Sequence, residues 1–239
     1  MDTNKNPAAT AKTAEKTPKG SVSKEKEVNM NNNSEAKRQT LETNGNSENK
    51  ENPNQKPSET ERDGPLFKFF TDALKDVLYA EKHILEALPK MQKAATTHEL
   101  QEAFEDHYLL TQKHISRLER VFKLIGEEPE EKKCEAIIGI VKEGESVIEN
   151  TEEGSMTRDA ALIIAAQKVE HYEIATYGGL AALAETLELY EASDLLHTTL
   201  QEEEETDEDL TDIAESFINF AAKDDEEEDD NKDDALGFW

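Results

Sequence analysis

The chain is short of the residues that staple or interrupt a fold. Its 239 residues include one cysteine, Cys134. An intrachain disulfide is therefore excluded, and a reducing, cytoplasmic setting is expected. Of seven prolines, only Pro89 and Pro129 follow Pro65, so little in that region forbids long helices. No stretch holds the roughly 18 consecutive apolar residues that a membrane span needs. The opening "MDTNKNPAAT" has no apolar core, so no signal peptide is expected. Basic residues are also scarce: 27 Lys/Arg face 55 Asp/Glu, a net charge of −28. Phosphate backbones are bound by Lys/Arg clusters, so nucleic acid is not an expected partner. Such a charge attracts cations instead.

What is present divides into three parts. Residues 1–62 are Asn, Lys, Ser, Thr, Glu and Pro with almost no large apolar side chain. That composition cannot offset the entropy of ordering, so a disordered arm is expected. Residues 223–239 form an acidic tail, also expected to be disordered, with nine acids and one lysine between Asp224 and Asp234. It ends in "ALGFW", whose Leu236, Phe238 and Trp239 suit either a frayed terminus or a short docking peptide for a partner. Between the tails, residues 63–222 are long enough to bury a proper core.

That middle part reads as helix throughout. Apolar residues recur at spacings of three and four, which predicts helices over about 65–95, 97–125, 133–149, 156–187 and 191–221. Pro65 suits a first helical turn, and Pro89 should kink the first helix. "TTHE", Thr96–Glu99, has a capping-box pattern, and Gly126 is a natural stop. Four of the helices approach 30 residues, roughly 45 Å each. Very short links join the first long helix to the second and the third to the fourth, which makes two antiparallel hairpins. The connection between hairpins is long and carries the short helix. An all-α, ferritin-like four-helix bundle has such a crossover.

The inward seams of the long helices are not uniformly apolar. They read Phe70, Leu74, Val77, Glu81, Ile84, Leu88; then Leu100, Phe104, His107, Thr111, His114, Leu118, Val121, Ile125; then Ile163, Ala166, Glu170, Ile174, Tyr177, Ala181; then Leu196, Thr199, Glu203, Thr206, Leu210, Ile213, Phe217. In an antiparallel hairpin, two residues equally far from the turn are level. The midpoint of Glu81 and His114 falls at Thr97–His98, in the first predicted turn, and that of Glu170 and Glu203 falls beside Leu187, in the second. Glu81, His114, Glu170 and Glu203 should therefore share one height, one per helix. Buried charges are paired or bind metal. Carboxylate with imidazole suits iron, manganese or zinc, at one or two ions per chain.

At this point four strings carry a resemblance: "LFKFFTDALKDVLYAEKHILEALPKM", "AFEDHYLLTQKHISRLERVF", "DAALIIAAQKVEHYEIATYGGLAALA" and "LLHTTLQEEEETDEDLTDIA". Together they resemble the YciE/YciF-like family of bacterial ferritin-like stress proteins. The resemblance implies a ferritin-like bundle, homodimers and a role in stress. The wider ferritin-like pattern has Glu on two helices and Glu-x-x-His on the other two. Glu81, His114, Glu170 and Glu203 match it. Thr111 stands where Glu is expected, and Thr206 where His is expected. A one-residue change of register would offer Glu204 and Asp207 instead. His107 could add a ligand or carry protons.

Plainer readings compete with each of these. The carboxylates could form a hydrogen-bonded cluster with His114 and Thr111 and hold no metal. His107 alone reads as a core or interface histidine. His83, His98, His171 and His197 read as surface, turn or peripheral residues, and Tyr79, Tyr172 and Tyr177 as packing residues. Cys134 reads as a small buried apolar residue. "EEEET", Glu202–Thr206, reads as a solvated face apart from Glu203. Two functions follow. One is a stress-response metalloprotein whose bound iron meets dioxygen or peroxide. The other is a non-enzymatic dimeric scaffold with a metal-free polar core.

Overall fold

The computed structural model describes residues 57–225, and every element among them is helical. One helical turn, α1 (Glu59–Arg62), precedes α2 (Pro65–Ala94) and α3 (His98–Ile125). The crossover carries α4 (Glu135–Asn150), and α5 (Met156–Thr186) and α6 (Tyr190–Ile213) complete the fold. A π-helical turn, Ala214–Ile218, follows α6, and helix continues to Asp225. Residues 1–56 and 226–239, with the expected disordered tails and the "ALGFW" segment, lie outside the described residues.

The described residues extend a little beyond 63–222 at both ends, and contacts hold each extension. At its start, Arg62 donates to the Ile125 carbonyl at 2.8 Å and pairs with Glu127 at 3.7 Å, which ties α1 to the end of α3. At its end, Asp225 accepts from the Met156 and Thr157 amides at 2.6 and 3.2 Å. A carboxylate at a helix N-terminus satisfies otherwise orphaned donors and suits the helix dipole. Composition could not reveal either contact.

The two hairpins form as expected. α2 pairs with α3 and α5 with α6, α3 packs on α6, and α4 lies against α2 and α5. Pro65 occupies the first turn of α2, and the helix runs on through Pro89. Gly126 ends α3 in the left-handed region (φ 75°), with Glu127 N donating to Phe122 O at 3.0 Å. The crossover runs beside α2: Lys132 N donates to Lys75 O at 3.1 Å. Exposed pairs such as Lys75–Glu130 and Lys132–Asp72 decorate this edge and add little energy.

The α2–α3 turn is built differently from the sequence expectation. Thr97, not Thr96, is the N-cap, and it makes no side-chain cap bond. Its hydroxyl donates instead to Asp159 at 2.7 Å. The Thr96 and Thr97 amides donate to the same carboxylate at 2.7 and 2.8 Å. Asp159 is fully buried in the first turn of α5. A carboxylate from the other hairpin thus replaces the local capping box and fixes the two hairpins in relative height.

Two apolar clusters fill the bundle. One holds Phe67, Phe70, Leu74, Leu118, Phe122, Tyr177 and Leu196. The other holds Ile84, Leu88, Leu100, Phe104, Ile137, Leu162 and Leu210. The layer between them is polar. Two seams drift from expectation. On α5, Glu173 is buried and Ile174 only partly so. Beyond Leu210 the buried positions are Ala214 and Ile218 rather than Ile213 and Phe217. A repeat of four and a π turn rotate the face away from an average period of 3.6.

Because three charge-assisted bonds converge on Asp159, Asp159→Ala should cost about 2–4 kcal/mol. Urea unfolding of the variant against the parent measures it.

Candidate metal centre

Each long helix contributes to the polar layer. Glu81 comes from α2, His107 and His114 from α3, Glu170 and Glu173 from α5, and Glu203 from α6. None is more than 3% exposed. They fall into two groups whose potential ligand atoms lie within 4.8 Å of one another: His107, Glu170, Glu173 and Glu203; and Glu81, His114 and Glu203. Glu203 belongs to both.

His114 Nδ1 is 2.9 Å from Glu203 Oε1 and 3.7 Å from Glu81 Oε1. Its other nitrogen, Nε2, donates to Glu202 Oε2 at 3.0 Å. Arg117 grips Glu202 with two bonds, 2.8 and 3.1 Å, and donates to Thr199 at 2.6 Å. The carboxylate of Glu202 can only accept, so it holds the proton on Nε2. That leaves the Nδ1 lone pair of a neutral ring facing two carboxylates, an arrangement that needs a proton or a cation between them. Tyr177 donates to Glu81 Oε1.

The other half is less well satisfied. His107 Nε2 is 3.7 Å from Glu170 Oε1, and neither ring nitrogen has a hydrogen-bond partner. Glu170 Oε2, both oxygens of Glu173, both of Glu203 and Glu81 Oε2 also lack one. Buried polar atoms without a partner at this density are a deficit that a bound cation or water would relieve.

Burial pushes the Glu81 carboxyl up to about 8; His114 opposes the shift and Glu203 adds to it. Burial and the Glu203 charge hold Glu170 well above the usual carboxylate range. Glu173 is raised in the same way, with Glu81 and Glu170 adding to the effect. For His114, burial disfavours the charged ring, but Glu203, Glu81 and Glu202 overcome it and raise its pKa. Burial lowers that of His107.

The four leading candidates, Glu81, His114, Glu170 and Glu203, are all in this layer, and His107 joins them. Thr111 is fully buried but donates its hydroxyl to the His107 carbonyl at 2.8 Å. Glu204 is exposed, so the alternative Glu204–Asp207 pair does not form. Thr206 donates to the Glu202 carbonyl at 2.9 Å. Asp207 is half-buried near Glu170, and exposed His171 lies 3.8 Å from it. Tyr79 stacks on His83, and Cys134 is buried with its Sγ 3.2 Å from the Tyr172 hydroxyl; neither belongs to a ligand group.

Sequence reasoning missed Glu173, Glu202 and Arg117. Glu173 had a signal, since Glu170 and Glu173 stand at i and i+3. Residues 173 and 174 both fit between Glu170 and Tyr177, and hydrophobicity favoured the isoleucine.

A family profile described as a domain of unknown function, DUF892, matches residues 66–223. The chain belongs to the DUF892 family. Protein YciF of Escherichia coli strain K12 is 44% identical over 155 residues, which span 64% of this chain and 93% of that protein. The crystal structure of the E. coli stress protein YciF superposes with a TM-score of 0.62 at 43% identity, covering 64% of this chain and 97% of that one. YcfI from Rhodopseudomonas palustris, called a candidate structural protein, matches at a TM-score of 0.60 and 40% identity over 63% and 96% of the two chains. A Xanthomonas campestris protein at 20% identity and a TM-score of 0.54 shares the fold. The DUF892 region thus contains the whole polar layer.

Carboxyls whose folded pKa is raised keep protons that the unfolded chain gives up above about pH 4.3. Their stabilising contribution is complete below that pH and is lost as pH rises through about 8, the value for Glu81. Raised His114 acts in the same direction, and lowered His107 opposes it. The metal-free protein should therefore melt at a higher temperature near pH 5 than near pH 8, at about 2–4 °C per kcal/mol. Glu173→Gln should flatten that slope in a pH series of thermal melts.

Proposed function

We propose that this is a stress-response metalloprotein that binds iron, or alternatively manganese, between the four long helices. The observation that carries the reading is the pair of ligand groups sharing Glu203. Two ions per chain suit two groups. His107, Glu170 and Glu173 would serve one ion, Glu81 and His114 the other, and Glu203 both. Oxygen and imidazole donors together suit iron and manganese. The donor total also supports the reading. The ferritin-like pattern supplies four carboxylates and two imidazoles, and Glu81, Glu170, Glu173, Glu203, His107 and His114 supply the same set. The stress assignment of the E. coli relative supports the physiological setting.

Bound there, two iron(II) ions would supply two electrons, which with two protons reduce dioxygen to hydrogen peroxide or hydrogen peroxide to water. The chain's own part is to hold the donors and keep out water. Glu202 and Arg117 fix the His114 tautomer, Tyr177 orients Glu81, and the apolar clusters on either side exclude solvent. A cytoplasmic homodimer completes the proposal. The single, buried cysteine suits a reducing compartment.

Incubating the full chain anaerobically with iron(II), desalting it and measuring metal by elemental analysis tests this. About two ions per chain are expected, falling in Glu170→Ala and Glu81→Ala but not in Glu204→Ala. Arg117→Ala should weaken metal affinity by about 10–100-fold, as other outer-shell substitutions do. A second reading, a metal-free helical scaffold, is favoured by the description of the Rhodopseudomonas relative. It would stand if the parent protein retains no metal.

A further inference from the structure

Beneath α4 lies an apolar cleft that the proposed chemistry has not used. Ile84, Val141, Ile148 and Val169 line it, and the small side chains at Gly144 and Ala166 leave it open. It has about 20 Å³ of room at the size of a water molecule, space for one small ligand. Its outer rim carries Lys90 and Glu145, an exposed ion pair at 2.8 Å. Its inner end is formed by His107 and Glu170, two members of the candidate centre.

We infer that this cleft binds dioxygen and delivers it to the His107–Glu170 side of the centre. Its use rests on the proposed metal-binding function; its existence does not. An ion, or a hydrogen-bonding molecule such as peroxide, would lose its hydration along walls that return almost no polar contact. Dioxygen is apolar, weakly hydrated and small enough. The side chains that could have closed the cleft are small. A Cβ added at Gly144 would meet the Ala165 Cβ at 3.8 Å, ordinary contact, and Gly144 is part of the cleft wall, so a longer side chain there would take up its room.

Dioxygen itself is the probe. In the full-length, metal-free protein, methyl NMR relaxation is compared under dioxygen and under nitrogen. The methyls of Val141, Ile148 and Ala166 should relax several-fold faster under dioxygen than those of Leu74 and Val77, which are sealed in the opposite cluster. Gly144→Leu should remove the difference. Ala87→Val, which narrows the cleft from α2, should reduce it if the larger substitution fails to fold. Equal enhancement in both methyl sets overturns the inference. In iron-loaded protein, Gly144→Leu should keep its iron content and slow oxidation by dioxygen several-fold; an unchanged rate also overturns it. If the parent binds no iron, the metal proposal fails while the relaxation comparison still decides the cleft.

Discussion

The structure depends on one constraint: six ionisable side chains share a layer that solvent does not reach. Moving a single carboxylate from water into such an interior costs several kcal/mol even after relaxation. Four neighbouring carboxylates add mutual repulsion. The layer is tolerable only if its members hold protons, share hydrogen bonds or surround a cation, and each remedy demands close alignment. Displacing one helix by a turn, about 5.4 Å, would set a carboxylate against the flanking Leu and Phe side chains. Tight hairpin turns limit such slippage within each pair. The Asp159 latch limits it between the pairs, because it joins the first residues of α5 to the α2–α3 turn.

The two halves of the layer are not equivalent. Around His114, charge is balanced from outside by the Arg117–Glu202 pair, and Tyr177 donates to Glu81. Around His107 and Glu173 no cationic side chain appears among the described contacts, and four ligand-type atoms, both nitrogens of His107 and both oxygens of Glu173, lack any hydrogen-bond partner. Protonation relieves repulsion there and lets Glu173 share a hydrogen bond with Glu81 and Glu170 one with Glu203, but it brings no partner to the His107 nitrogens. A divalent cation would relieve both deficits together. The His107 half is therefore where the fold has most to gain from an ion, and it is also the half that the apolar cleft reaches.

The helical architecture was legible because it rests on local signals. Periodicity, Pro65 and Gly126 act within a few residues, and the lengths of the two short links fix the hairpins. The shared height of Glu81, His114, Glu170 and Glu203 followed from counting residues back to each turn. What escaped depends on side chains distant in sequence. Asp159 reads as an ordinary first-turn acid until the other hairpin presents two amides to it. Glu202 reads as one acid in a solvated run until Arg117 and His114 face it across the α3–α6 contact. Glu173 and Ile174 were equivalent by spacing, so only packing could choose between them. The π turn after α6 has no clear local signature, and it moved the buried face from Phe217 to Ile218.

The departures from the ferritin-like pattern become consistent once the donors are assigned to helices. α3 lacks a carboxylate at Thr111, and the hydroxyl there is occupied by the His107 carbonyl. α5 carries the extra carboxylate, Glu173, one helical turn from Glu170. α6 lacks a histidine at Thr206, and α3 carries the second one, His107, two turns from His114. A centre surrounded by four helices is indifferent to which helix supplies a donor, provided that the atoms converge and the total charge is kept. Under the proposed function, the two threonines are places where the donor moved to a facing helix rather than positions where a ligand was lost. Glu173 and His107 bring the donor total to the four carboxylates and two imidazoles of that pattern. Under the proposed function, that matching total is what a metal centre requires and a merely polar core does not.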